Sequence, residues 1–279
     1  MIAEDKTRIE NEEIQAKLDS YLLEPNHYNW QQILAILDKL EQEDLQSALN
    51  YLKPHIGKWP NELKTYPEKD WMLISQWTPD NFVFQICASL ELCFFEDSDA
   101  IELSKSGSLS ELKILKLFFN ELTDEGVTAI AQSETLKGLE TLNIRENEFG
   151  TEGALAIAKS VTLENLSQLN IGGNVIGDEG TKAIVNSYTL RNLTSLGLAG
   201  CDLKTEGALA IAESQTLTKL KELNLRNNRI GFEGAEALAK SSNLSAVESL
   251  CLVDCLDEGY IDVLKNAFPS TVNVVWNDE

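Results

Sequence analysis

The sequence predicts an α/β array of stacked repeats over residues 81–279, preceded by an α-helical unit over residues 1–80. Three observations predict it. A segment recurs with a fixed spacing of 27 residues, the composition changes abruptly near residue 80, and apolar residues before that change recur at helical spacing.

Four of the five tryptophans and five of the six prolines lie in the first 80 residues, whereas 15 of the 16 glycines follow residue 100. In the first regime Ile14, Leu18 and Leu22 share one helical face that stops before Pro25. Trp30, Ile33, Leu34, Leu37 and Leu40 form a second face. Leu45, Leu49 and Leu52 form a third, expected to end before Pro54 because proline lacks the N–H a helix needs.

The second regime repeats. LKILKLFFNELTDEGVTAIAQSETL from Leu112 returns as LETLNIRENEFGTEGALAIAKSVTL from Leu139, then from Leu166, Leu193 and Leu220. One column holds Asn120, Asn147, Asn174, Cys201, Asn228 and Cys255; another holds Gly126, Gly153, Gly180, Gly207 and Gly234. A glutamate column begins at Glu125 and a serine column at Ser133. Leu115 and Leu117 alternate as a short strand with one buried face. The Asn column is suited to bonding backbone groups in the turn that leaves the strand, and cysteine is a weaker donor that tolerates burial. Asp124, Thr151, Asp178 and Thr205 are helix N-cap types, each followed by a glutamate near the positive end of the helix dipole. Degenerate repeats are expected at both ends. Counting back from Asn120 places Cys93 in the ladder column, with Ala88 and Leu90 in strand positions; Thr271 to Trp276 alternates like a closing edge strand.

The pattern LxxLxLxx(N/C)xL…EGAxALA, over roughly residues 85–276, resembles the leucine-rich repeat in its ribonuclease-inhibitor-like subclass. The resemblance implies a right-handed solenoid in a horseshoe arc, with parallel strands inside and helices outside. The N-terminal unit is then expected to cap one end of the core.

The formal charge of −22, from 45 acidic and 23 basic residues, disfavours phosphate backbones and anionic lipid. Both halves are acidic, at −7 and −15, so no basic arm hides behind the total. No apolar run is long enough to span a membrane, and the polar first residues do not read as a secretory signal. Five cysteines, an odd count without close-set pairs of metal-ligand type, argue for reduced thiols, and His27 and His55 are too few for most zinc or hydrolytic chemistry. The glutamate column is read as repeated helix starts rather than a metal strip. Asn165, Asn192 and Asn243 fit the glycan acceptor pattern because the repeat itself generates it.

The expected function is a non-enzymatic scaffold that binds a protein partner through the concave strand face. Lys116, Phe118, Phe119, Asn143, Arg145, Glu146, Asn170, Glu222, Asn224, Arg226 and Asn227 are the candidate contact residues. Arginines and aromatics are favoured anchors, and Gly172, Gly173, Gly197 and Gly200 would leave a shallow middle. The competing reading of Phe118 and Phe119 is packing beneath the N-terminal unit. The partner is expected to carry a basic face, with no cofactor, metal, nucleic acid or membrane involved. The protein is expected to be a monomer in a reducing compartment, cytoplasmic or delivered into a host cytosol. Two alternatives are a regulator of a small GTPase and a host-directed bacterial effector that acts by binding. A ligase-type effector is disfavoured because the sequence ends directly after the closing strand.

Overall fold

The computed structural model describes residues 12–37, 39–40, 42–56, 59, 64–66, 88–92, 94–256, 260–261, 264 and 267–276. The chain divides into two units, Met1–Glu91 with Ser106–Leu115, and Leu92–Lys105 with Lys116–Glu279. The division expected at residue 80 lies outside the described residues.

In the first unit, helices α1 (Glu12–Leu22), α2 (His27–Leu37) and α3 (Gln42–Ile56) follow the apolar spacing. They bury Leu18, Trp30, Ile33, Leu34, Leu37, Leu49 and Leu52, with Trp59 tilted against Trp30 at 6.3 Å between ring centroids. Asn26 starts α2 by accepting the Asn29 N–H at 2.8 Å. Helix α3 runs through Pro54 instead of stopping before it. The proline stands in the last turn, so it removes only the N–H that would reach the Asn50 carbonyl, and the helix finishes at Ile56. Strands β1 (Thr65–Tyr66) and β2 (Ser89–Glu91) pair in parallel, and the next strand is β3 (Ile114–Lys116).

The second unit is a stack of rungs. Strands β4 (Thr141–Asn143), β5 (Gln168–Asn170), β6 (Ser195–Gly197), β7 (Glu222–Asn224), β8 (Ser249–Cys251) and β9 (Asn273–Val275) are parallel and in register. The central residues Leu142, Leu169, Leu196, Leu223 and Leu250 are buried, as are Ile144, Ile171, Leu198, Leu225 and Leu252 two positions on. Each contributes roughly 2 kcal/mol of burial. Helices α4 (Asp97–Leu103), α5 (Asp124–Ala131), α6 (Thr151–Lys159), α7 (Gly177–Val185), α8 (Thr205–Glu213) and α9 (Gly231–Lys240) return the chain behind the strands. The closing strand expected near Thr271–Trp276 is β9, parallel to β8.

Each polar column binds a neighbouring rung. Asn147 donates through Nδ2 to the Leu117 and Ile144 carbonyls at 2.8 and 3.0 Å, while its Oδ1 accepts the Leu122 N–H at 3.0 Å. Its own N–H donates to Asn174 Oδ1 at 3.1 Å, and Asn228 repeats the pattern around Cys201. Cys255 Sγ donates to the Leu225 carbonyl at 2.9 Å. The serines secure the other side: Ser133, Ser160, Ser187, Ser214 and Ser241 each donate to a backbone carbonyl in the preceding rung at 2.5–2.6 Å. Asn165, Asn192 and Asn243 likewise donate their side-chain amides to carbonyls of the preceding rung.

Two expectations are corrected. Asp124 and Asp178 do not cap their own helices. Asp124 Oδ1 accepts the N–H groups of Gly150 and Gly153 at 2.8 and 2.7 Å, and Asp178 Oδ1 those of Lys204 and Gly207 at 2.7 and 2.9 Å. Each carboxylate therefore caps the next helix, as Asp97 does at Thr123 and Gly126. The glycine column makes room for this: a Cβ at Gly207 would lie 2.6 Å from Asp178 Oδ1. Thr151 and Thr205 instead donate to the Ile176 and Ile230 carbonyls at 2.9 Å, where Gly177 and Gly231 turn the chain at positive φ. From Asp124 to Thr205 the two designs alternate.

The second correction concerns the first rung. Cys93 lies outside the described residues, and the ladder position belongs to Phe95, whose N–H donates to Asn120 Oδ1 at 2.8 Å. Asp97 keeps the 27-residue offset from Asp124, so the rung is two residues shorter between ladder position and helix. Leu90, not Ala88, therefore occupies the central strand position, in β2.

Asn174 is 1% exposed and bonded through both side-chain atoms. Asn174→Ala is expected to lower unfolding free energy by about 2–4 kcal/mol, and Asn174→Cys by less, measured by urea denaturation. Thr181 is fully buried, and its hydroxyl has no hydrogen-bond partner among the described residues, in a column that holds Val127 and Ala154. Thr181→Val is expected to raise stability by about 1 kcal/mol in the same measurement; a loss would reveal a hydrogen bond at that hydroxyl.

Candidate functional site

Strand side chains that do not enter the core meet on one face. They line an open groove of about 430 Å³ running from Lys116 on β3 to Cys251 on β8. Its walls carry Thr141, Asn143, Gln168, Asn170, Ser195, Asn224 and Ser249, all uncharged. The charged groups lining it are Lys116 and Glu222, the latter accepting the Ser195 hydroxyl at 3.1 Å. Asn143, Asn170 and Asn224 share one orientation. Each Oδ1 accepts the backbone N–H two residues ahead, at 3.3, 3.2 and 3.0 Å, which holds the side chain in place. An Asn side chain held by its oxygen presents its NH2 donors to the groove.

The predicted contact residues separate into two tiers. Lys116, Asn143, Asn170, Glu222 and Asn224 line the groove. Phe118, Phe119, Arg145, Glu146, Arg226 and Asn227 lie beyond the strands, on the turns leading to the ladder position. There Phe119, Glu146 and Asn227 have φ of 57°, 53° and 56°, at the place where the intervening rungs carry Gly173 and Gly200. The turn is held by its own N–H groups, Phe119 N donating to the Arg145 carbonyl at 3.1 Å and Glu146 N to the Gly172 carbonyl at 2.7 Å. Arg145 lies 5.2 Å above the Phe119 ring centroid and pairs with Glu146 at 3.2 Å; Arg226 stands 3.9 Å from Asp254. Phe119 is 63% exposed, so it does not pack as a buried side chain, while Phe118 is half-buried edge-on to it.

The shallow glycine middle is partly filled. A Cβ at Gly197 would lie 2.5 Å from Asn170 Oδ1, and one at Gly173 would lie 2.6 Å from Glu146 Oε2. These glycines admit the chain's own side chains rather than leaving bare backbone. Sequence reasoning missed Phe94. It is 80% exposed with φ of 59°, the equivalent of Phe119 one rung earlier, and only the shortened first rung brings it there. The signal available was a second Phe-Phe pair, Phe94-Phe95, preceding a helix start.

Among the described residues, no group of three or more His, Cys, Asp or Glu side chains is placed to hold a metal ion, and no helix is long and apolar enough to cross a membrane. Burial pushes the Cys201 and Cys255 thiols up to about 12. Folding thus favours the neutral thiol, and the stability this gives is complete below about pH 9 and lost as pH rises toward 12. Wild type is expected to lose more unfolding free energy between pH 8 and pH 10.5 than Cys201→Asn. Mapped alkylation of the native protein at pH 8 is expected to label the half-buried Cys251 well before Cys201 or Cys255.

A family model described as a leucine-rich repeat matches residues 110–131, 139–158, 162–185, 189–212 and 216–239. Among solved structures, an internalin from Listeria monocytogenes is similar at 24% identity and a TM-score of 0.39, over 61% of this chain and 50% of its own. This chain thus spans half the length of that internalin. No curated protein sequence matches. Five leucine-rich repeats therefore lie between residues 110 and 239.

Proposed function

We propose that the protein is a non-enzymatic scaffold that binds another protein through the strand face of its repeat array. The observation that carries this reading is the row of oriented amides, Asn143, Asn170 and Asn224, along a groove whose charged lining residues are one lysine, Lys116, and one glutamate, Glu222. Catalysis needs groups whose protonation or nucleophilicity is tuned to the reaction. This groove instead offers hydrogen-bond donors and hydroxyls fixed by rigid strands, which suits recognition. The formal charge of −22 favours a partner with a basic face, drawn in by long-range attraction and then fixed by the groove.

Quantitative capture from a lysate tests the reading, with wild type beside Asn170→Arg and Arg145→Glu/Arg226→Glu variants shown to be folded by circular dichroism. At least one captured protein is expected to fall about tenfold with Asn170→Arg, and its recovery to decline as salt rises. Capture of every protein unchanged by both variants would remove the strand face from consideration.

A further inference from the structure

Two aromatic side chains on successive turns stand where backbone conformation and solvent exposure both disfavour them. Phe94 and Phe119 have backbones in the left-handed region, at φ of 59° and 57°, where glycine or asparagine is favoured and later rungs use Glu146, Gly173, Gly200, Asn227 and Asp254, none of them aromatic. They also leave 80% and 63% of their surface in water. Neither the turn nor the ladder needs a phenyl ring, since the bonds that hold them come from backbone groups and Asn120. A strained backbone that displays an apolar ring points to a role outside folding.

The surroundings state what such a pair suits. Residues 94–96, 118–121 and 145–148 carry Glu96, Glu121, Glu146 and Glu148, all exposed, against one cation, Arg145. That arginine is engaged with Glu146 and lies over the Phe119 ring, which demonstrates that the ring takes a guanidinium at its face. An apolar spot with an acidic border complements a segment that combines aliphatic and cationic side chains.

We infer that Phe94 and Phe119, bordered by Glu96, Glu121 and Glu148, form an anchoring spot for a basic amphipathic segment of a partner protein. This rests on the scaffold reading above but uses the turns rather than the groove. The segment places aliphatic side chains on the two rings and lysines or arginines on the carboxylates.

The test uses the full chain and a fluorescein-labelled synthetic peptide built of Leu-Lys-Lys-Leu blocks, followed by fluorescence anisotropy. Controls are the same peptide with Lys replaced by Glu, and with Leu replaced by Ser. The variant Phe94→Asn/Phe119→Asn keeps net charge and puts at both turns the residue found at Asn227, so its melting temperature is expected to equal or exceed wild type. Binding of the Leu/Lys peptide is expected to weaken about tenfold in that variant and to be unchanged in Asn170→Arg. The Glu and Ser control peptides are each expected to bind at least tenfold more weakly than the Leu/Lys peptide. Equal binding by wild type and the double Asn variant overturns the inference, and so does equal binding of the Leu/Lys and Lys/Ser peptides. Loss in Asn170→Arg alone overturns it while supporting the groove. Concentration-dependent dimers that disappear in the double Asn variant would make a second copy the occupant, which also overturns it.

Discussion

Everything in the repeat array depends on backbone groups that one rung cannot satisfy by itself. A three-residue strand and a tight turn leave carbonyls and N–H groups facing the neighbouring rung, and burial makes an unpaired group expensive. The buried asparagines answer this from both ends, taking N–H groups through Oδ1 and giving protons to carbonyls through Nδ2. Serines do the same work behind the helices. No rung has a complete hydrogen-bond set without its neighbours, which is why such folds are held together by nearest-neighbour terms. The site inherits this constraint, because the turns carrying Phe119 and Arg145 are shaped by the same bonds.

Much of this was legible in the sequence. The 27-residue period and the Asn/Cys column announce the array, and alternation around Leu115 or Leu142 names the buried face. What stayed hidden depends on partners far away in the chain. Asp124 reads as a local cap because its type and place fit one, yet its carboxylate reaches Gly150 and Gly153. Pattern alone cannot tell a cap for its own helix from a cap for the next. Phe94 was hidden by a shortened rung: counting by a constant period assigns Cys93 to the ladder and leaves Phe94 without a place. The candidate contact residues were legible as a set but not as two tiers, since a period of two cannot say where strand ends and turn begins.

The separation of tiers matters physically. The groove is a neutral, hydrogen-bonding surface inside a strongly acidic molecule, so its chemistry acts at contact distance. The turns present rings and charges that project further. Attraction by net charge fades within roughly 10 Å at ordinary salt, so it brings a partner close without selecting it. Selection then falls to fixed amides on one tier and exposed rings on the other.

The alternating helix starts have a consequence for how such an array can change length. A rung beginning with Asp offers a carboxylate to a follower whose first N–H groups are free to receive it, whereas a rung beginning with Thr offers a hydroxyl to a follower that turns through glycine. The carboxylate joins to either kind of follower, since Asp97 reaches Thr123 and Gly126 at the head of an Asp-type rung, whereas both Thr rungs stand before a glycine turn. Adding or removing two rungs at once keeps both kinds of junction between Asp124 and Thr205 as they are, while a change by one is accommodated only where a carboxylate meets free N–H groups.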